Sequence, residues 1–224
     1  MTAPQPASHR ATTKVPAAST SPTCDLLIFV EDPGAANYVA GLPASLAEDG
    51  LAVHLLAGAF ATEQLRGLGV DHKTVDAHRT AADLLDTMRP GLLVVGTSED
   101  PDAYGLRLID EARSRGITSV GVIDGAANPA LRFRGRAADA TAHAPDWLLV
   151  ADQATRSAYV ACGFDPARIR VCGHPHFDSV RATRVALDNE DRDALRTRLF
   201  PGIATQPAIV FLSEVSDGLD PTQF

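Results

Sequence analysis

From Asp25 onward the chain alternates short unbroken apolar runs with longer stretches whose apolar residues recur at helical spacing. Leu26-Leu27-Ile28-Phe29-Val30 has the length of a strand and no polar face, the pattern of a parallel strand covered on both sides. Asp32-Pro33-Gly34-Ala35-Ala36-Asn37 follows as a loop. Val39, Leu42 and Leu46 then mark a helix ending near Gly50, bent or split by Pro43. The unit repeats: residues 51–56 and 70–75 read as strands, 61–68 and 81–88 as helices, with Arg89-Pro90 stopping the second helix. Residues 92–95 form another buried strand, 104–115 a helix closed by Gly116, and 117–123 the next strand.

Residues 124–146 break this rhythm with Asp124-Gly125, Asn128-Pro129 and an alternation of Arg132, Arg134 and Arg136 with Phe133 and Gly135. A structureless loop of that length inside a compact domain is usually functional or disordered. Residues 147–150 resume as a strand, 153–162 as a helix and 168–172 as a strand, bringing the expected total to about seven. Strands alternating with helices of about ten residues predict an α/β, doubly wound, mostly parallel, Rossmann-like sheet. After Asp178 a charged helical segment runs to about Leu199, and residues 208–212 read as one more buried strand. The expected organisation is a disordered tail over 1–23, a Rossmann-like domain over 24–186, and a linker with the first strand of a missing or truncated second domain over 187–224.

Composition narrows the function. A chain of 224 residues with 45% hydrophobic content supports a real core. A net charge of -8 argues against tracking nucleic acid, which needs a basic surface. Cys24, Cys162 and Cys172 form neither a disulfide framework nor a zinc knuckle, so reduced thiols and a cytoplasmic setting are expected. Residues 1–23 lack the apolar core of a secretory signal, and no transmembrane segment is expected.

Several familiar sites are excluded by their missing residues: there is no P-loop, no G-x-G-x-x-G after the first strand, no G-x-S-x-G and no H-E-x-x-H. What stands at the carboxyl ends of the strands is polar and acidic, where open α/β sheets bind ligands. Asp32, Gly34 and Asn37 follow the first strand, either approaching a ligand or capping the helix. Thr97-Ser98-Glu99-Asp100 and Asp124 follow later strands; Ser98 or Asp124 can hydrogen-bond a sugar hydroxyl or act as a base, or serve as turn residues. Arg132, Arg134 and Arg136 have the guanidinium forks that clamp phosphate or carboxylate, or they are a solvated loop. His174 and His176 flank Pro175 and can shuttle protons near neutral pH, but no third ligand accompanies them, so no metal is expected.

The turn Gly173-His174-Pro175-His176-Phe177-Asp178 after a short apolar strand, preceded by ACGFDPARIRV, and more loosely the run DEARSRGITSVGVIDG, resemble the N-terminal, acceptor-side domain of the GT-B glycosyltransferase and UDP-N-acetylglucosamine 2-epimerase-like superfamily. The resemblance implies a glycosyltransferase-like protein, the acceptor-side half of a nucleotide-sugar-dependent sugar-transfer enzyme, with Asp32, Asp124 and His174 as candidate catalytic residues. Gly34, Asn37, Ser98, Arg132, Arg134, Arg136 and His176 are the candidate binding residues, and no cofactor is implied. In related enzymes the second domain holds the nucleotide. The implied ligand is a sugar or phosphorylated small-molecule acceptor, with a second subunit or self-association completing the protein. The first loop lacks the Gly-Thr-Arg-Pro-Glu run of the 2-epimerases, and the later His-x-Glu-Ala-Gly-Leu-Arg run is absent, which speaks against epimerase activity itself. Two alternatives are a stand-alone Rossmann-like module for a small anionic ligand and a non-catalytic partner subunit.

The composition shift at Cys24 predicts that limited proteolysis removes residues 1–23 without lowering the melting temperature. A concerted loss of stability on trimming to Asp25 would contradict it.

Overall fold

A sheet of seven parallel strands forms the core of the computed structural model, which describes residues 22–76, 78–96, 98–188, 192–203, 206, 207 and 209. The elements run β1 (Cys24–Val30), α1 (Pro33–Val39), α2 (Leu42–Glu48), β2 (Val53–Ala57), α3 (Ala59–Gly67), β3 (Lys73–Thr74), α4 (Ala81–Met88), β4 (Pro90–Gly96), α5 (Tyr104–Arg115) and β5 (Thr118–Val122). There follow β6 (Trp147–Val150), α6 (Gln153–Ala161), β7 (Ile169–Val171), α7 (His176–Asp188) and α8 (Arg192–Leu199). The strand order is β3-β2-β1-β4-β5-β6-β7. This is the doubly wound Rossmann-like order, whose direction reverses between β1 and β4, and that reversal leaves a crevice above the carboxyl ends of those two strands.

Both faces of the central strands are buried, as their unbroken apolar runs require. Leu27, Phe29, Leu93 and Val95 face the layer that packs Leu84 and Leu85 of α4, Leu108, Ile109 and Ala112 of α5, and Tyr159 of α6. Ile28, Val30, Leu55 and Val94 face Ala35, Ala36, Tyr38 and Val39 of α1 and Ala61 and Leu65 of α3. Alternate residues of one strand therefore serve two cores. Pro43 splits the first expected helix into α1 and α2 because, lacking an N–H, it fits the opening turn of α2. The expected loop over 32–37 is shorter than the sequence suggests: α1 already starts at Pro33, so Gly34 and Asn37 lie on the helix.

Residues 124–146 contain neither strand nor helix, yet they pack as part of the core. Phe133 is 1% exposed and meets Tyr159 and Phe164 with ring centroids 6.4 and 5.6 Å away. Room for that ring comes from Gly121 in mid-strand, where an added Cβ would stand 2.9 Å from Phe133, Leu148 and Pro145. The segment is pinned at several points: His143 N–H donates to Phe133 C=O at 2.8 Å, Arg113 Nη2 to Ala144 C=O at 2.6 Å, and Ser119 and Asp146 exchange hydrogen bonds of 2.8 to 3.1 Å.

The chain divides into two compact units, 1–176 and 177–224. The first holds the sheet; the second holds most of α7 and all of α8, with Phe177, Val180 and Val185 exposed. The expected tail, as far as residue 21, lies outside the described residues, as does the expected strand over 208–212 apart from Ile209. No helix among the described residues is long and apolar enough to cross a membrane.

Phe133→Ala should lower stability by about 3–5 kcal/mol through the cavity it leaves, a fall of roughly 2–4 °C in Tm per kcal/mol for a chain of this size. An unchanged melting curve would show that the 124–146 segment is not held by this ring.

Candidate functional site

The carboxyl ends of β1, β4, β5 and β7 bring together most of the residues expected from sequence. Glu31 closes β1, and its two carboxylate oxygens accept from Tyr104 N–H and Gly105 N–H at 3.0 Å each, so it holds the first turn of α5 although no side chain of α5's own N-terminus does so. Burial raises its pKa and the two amide donors act in the opposite direction. With Glu31 committed to the frame, the next residue is the one that faces the crevice.

Asp32 occupies the N-cap position of α1, yet its side chain makes no capping bond. Its partner is the Ser98 hydroxyl from the end of β4, and Ser98 Oγ in turn accepts Asp100 N–H at 3.2 Å. Burial is the largest influence on Asp32 and lifts its pKa above the ordinary carboxylate range; the Ser98 hydrogen bond lowers it and the nearby Asp124 carboxylate raises it again. Such a group is a better proton acceptor than a solvated aspartate.

Asp124 leaves β5 and pairs with Arg132 through Oδ1 to Nη1 at 2.9 Å, while Arg132 Nη2 lies 3.5 Å from Glu99 Oε1. Arg132 is 7% exposed, so this is a buried guanidinium matched by two carboxylates. The Asp124 carboxylate also lies against the first turn of α1, where a Cβ on residue 34 would fall 1.9 Å from its Oδ2; only glycine permits the approach. Arg136 forks onto Asp102 at the surface, and Arg134 is half-buried with no ion pair among the described residues. The three arginines therefore do not converge.

β7 ends at a turn in which Gly173 has φ +81°, a conformation that favours glycine. Tyr38 of α1, 1% exposed, lies under this turn, with its hydroxyl 3.2 Å from Cys172 Sγ and 3.4 Å from Gly173 C=O and its ring 4.8 Å from that of His174. His174 Nδ1 accepts His176 N–H at 3.3 Å, and the ring also hydrogen-bonds the Asp124 backbone. Burial, followed by the neighbouring His176, keeps the pKa of His174 below its usual value. His174 thus links the exits of β7 and β5. No group of three His, Cys, Asp or Glu side chains is arranged to hold a metal among the described residues.

Sequence reasoning placed Asp32, Ser98, Asp124, Arg132 and His174 at this edge, and it missed the roles of Glu31, Tyr38 and Glu99. Their partners lie 73 and 134 positions away for Glu31 and Tyr38, so no local pattern could reveal them. Thr97 lies outside the described residues.

No family model matches the chain, and no curated relative does. Solved structures do match it. UDP-GlcNAc 2-epimerase from Neisseria meningitidis bound to UDP-GlcNAc is similar at 12% identity with a TM-score of 0.55, over 79% of this chain and 54% of that one. The Methanocaldococcus jannaschii enzyme in complex with UDP-GlcNAc and UDP matches at 14% identity and TM-score 0.55, over 78% and 53%. The MnaA–UDP structure from S. aureus matches at 11% and 0.55, over 79% and 51%. The chain covers about half the length of these proteins and shares the α/β Rossmann-like fold of that half.

The raised pKa of Asp32 has a thermodynamic consequence. In the unfolded chain Asp32 titrates near its ordinary value; folded, it holds its proton to higher pH, so the folded state binds more protons between the two values and stability falls as pH rises through that window. Asp32→Asn should therefore raise Tm at pH 7, by about 2–4 °C if roughly 1 kcal/mol is relieved, and the advantage should vanish below the ordinary carboxylate pKa. A variant less stable than wild type at pH 7 would contradict this account.

Proposed function

We propose that this carboxyl edge is the acceptor side of a nucleotide-sugar-dependent, glycosyltransferase-like enzyme, and that its ligand is a hydroxyl-rich sugar. The observation that carries this reading is the half-buried Asp32, joined to Ser98 and lying near the Asp124–Arg132 pair, at the point where the strand order reverses. Asp32 is the proton acceptor. An acceptor hydroxyl gives its proton to this carboxylate as its oxygen bonds the anomeric carbon, while the bond from that carbon to the diphosphate breaks. Asp124 and Ser98 accept and donate hydrogen bonds to neighbouring hydroxyls. His174, hydrogen-bonded to the Asp124 backbone, positions the exit of β5.

Charge balance favours a neutral sugar over a free anion. Arg132 is already matched by Asp124 and Glu99, and Arg136 by Asp102, so the edge offers carboxylates to a ligand and no uncommitted arginine cluster. The diphosphate of a donor needs positive or amide partners in line with the acceptor, and we assign it to a second Rossmann-like unit, as the resemblance of the sequence implies.

Calorimetry on the full chain tests the reading. N-acetylglucosamine should bind, Asp32→Asn should weaken it about tenfold by removing a charge-assisted hydrogen bond, and UDP-GlcNAc should not be turned over. Tight binding of UDP alone, or sugar affinity indifferent to Asp32→Asn, would overturn it.

A further inference from the structure

The first turn of α3 carries Phe60, 75% exposed, while Ala61, Thr62 and Leu65 of the same helix are buried. An exposed phenylalanine costs solubility and gives nothing to this core, so its position is informative. Ala61 N–H donates to Glu31 C=O at 3.1 Å and Gly58 N–H to Val30 C=O at 2.8 Å. These bonds fix Phe60 one residue from a hydrogen bond to the residue preceding Asp32. α3 starts at the carboxyl end of β2, the neighbour of β1, so Phe60 stands on the same edge of the sheet as Asp32, and helical side chains lean toward the helix N-terminus.

One turn further along α3, Gln64 shares the Phe60 face and reaches across to α1, where its Nε2–H donates to Asn37 Oδ1 at 2.8 Å. Both residues are half-buried, and neither side-chain amide makes another hydrogen bond among the described residues. Gln64 Oε1 is thus left as an acceptor and Asn37 Nδ2 as a donor. An exposed ring face beside a planar donor and acceptor, with no charge, is the chemistry that holds a pyranose: C–H groups stack on the ring while hydroxyls meet the amides.

We propose that Phe60, Gln64 and Asn37 form a second sugar subsite, next to the one at Asp32, so that the acceptor is a glycan of at least two neutral rings. This rests on the sugar-acceptor reading above. A uracil base could also stack on Phe60, but its diphosphate would then lie among Asp32, Glu99, Asp100 and Asp124, which disfavours it.

The test measures the affinities of the full chain for N,N′-diacetylchitobiose and N-acetylglucosamine and takes their ratio. The disaccharide should bind more tightly, by about tenfold if roughly 50 Å² of apolar surface is covered at about 25 cal/mol per Å². Phe60→Ala should collapse the ratio toward one, Phe60→Trp should keep it, and Asp32→Asn should weaken both sugars with the ratio preserved. The exposed position of Phe60 leaves the fold of Phe60→Ala and Phe60→Trp intact, and the melting curves of these two variants should match wild type. A wild-type ratio of one, or a ratio unmoved by Phe60→Ala, overturns the second subsite while leaving the first standing. Failure of both sugars to bind overturns both proposals, and UDP binding that depends on Phe60 would reassign the ring to a nucleotide.

Discussion

The buried ion pair of Asp124 with Arg132 is the contact on which the carboxyl edge depends. A guanidinium that is 7% exposed has lost most of its hydration and needs carboxylate partners in its place; it finds them in Asp124 and Glu99, from the ends of β5 and β4. Arg132 can reach them because the adjacent Phe133 is driven into the core over Gly121. Asp124 can turn toward it because residue 34 has no side chain. One apolar anchor, one ion pair and one missing Cβ therefore set the shape of the crevice. Removing Arg132 would take the guanidinium from both carboxylates at once, at a cost above that of losing an exposed pair.

The rhythm of strands and helices was legible in sequence because a parallel strand covered on both faces must be apolar throughout, and β1 and β4 are. Legibility fell at the sheet edge. The expected strand over 70–75 shrinks to Lys73 and Thr74, both exposed, because its outer side has no neighbour to pair with. The 124–146 segment has no period to read, and the value of Phe133 there becomes visible only once Gly121, twelve positions earlier, is known to lie beneath it.

At the site, the acidic residues after each strand were legible from the rule that ligands approach the carboxyl ends of an α/β sheet. What each does was not. Glu31 and Asp32 are neighbours with the same chemistry, yet one is spent on the amides that open α5 and the other faces the crevice, a division made by a helix 73 residues away. The arginine alternation suggested a clamp, but in the packed segment Arg132 turns inward to Asp124 and Arg136 outward to Asp102. Adjacent positions in an irregular segment need not share a face.

Asp32 stands where folding would rather have a neutral group. Burial opposes its charge more than the Ser98 hydroxyl and the more distant Arg132 favour it, so the site keeps an ionisable group at a stability cost. A purely structural N-cap would have turned its oxygen onto the amides of α1 and lowered its energy by doing so. Asp32 leaves those amides alone and keeps its carboxylate at the reversal of strand order, where a ligand would meet it. Arg132 nearby offsets part of that stability cost but is shared with Asp124 and Glu99, so burial still prevails and the pKa of Asp32 stays above its ordinary value.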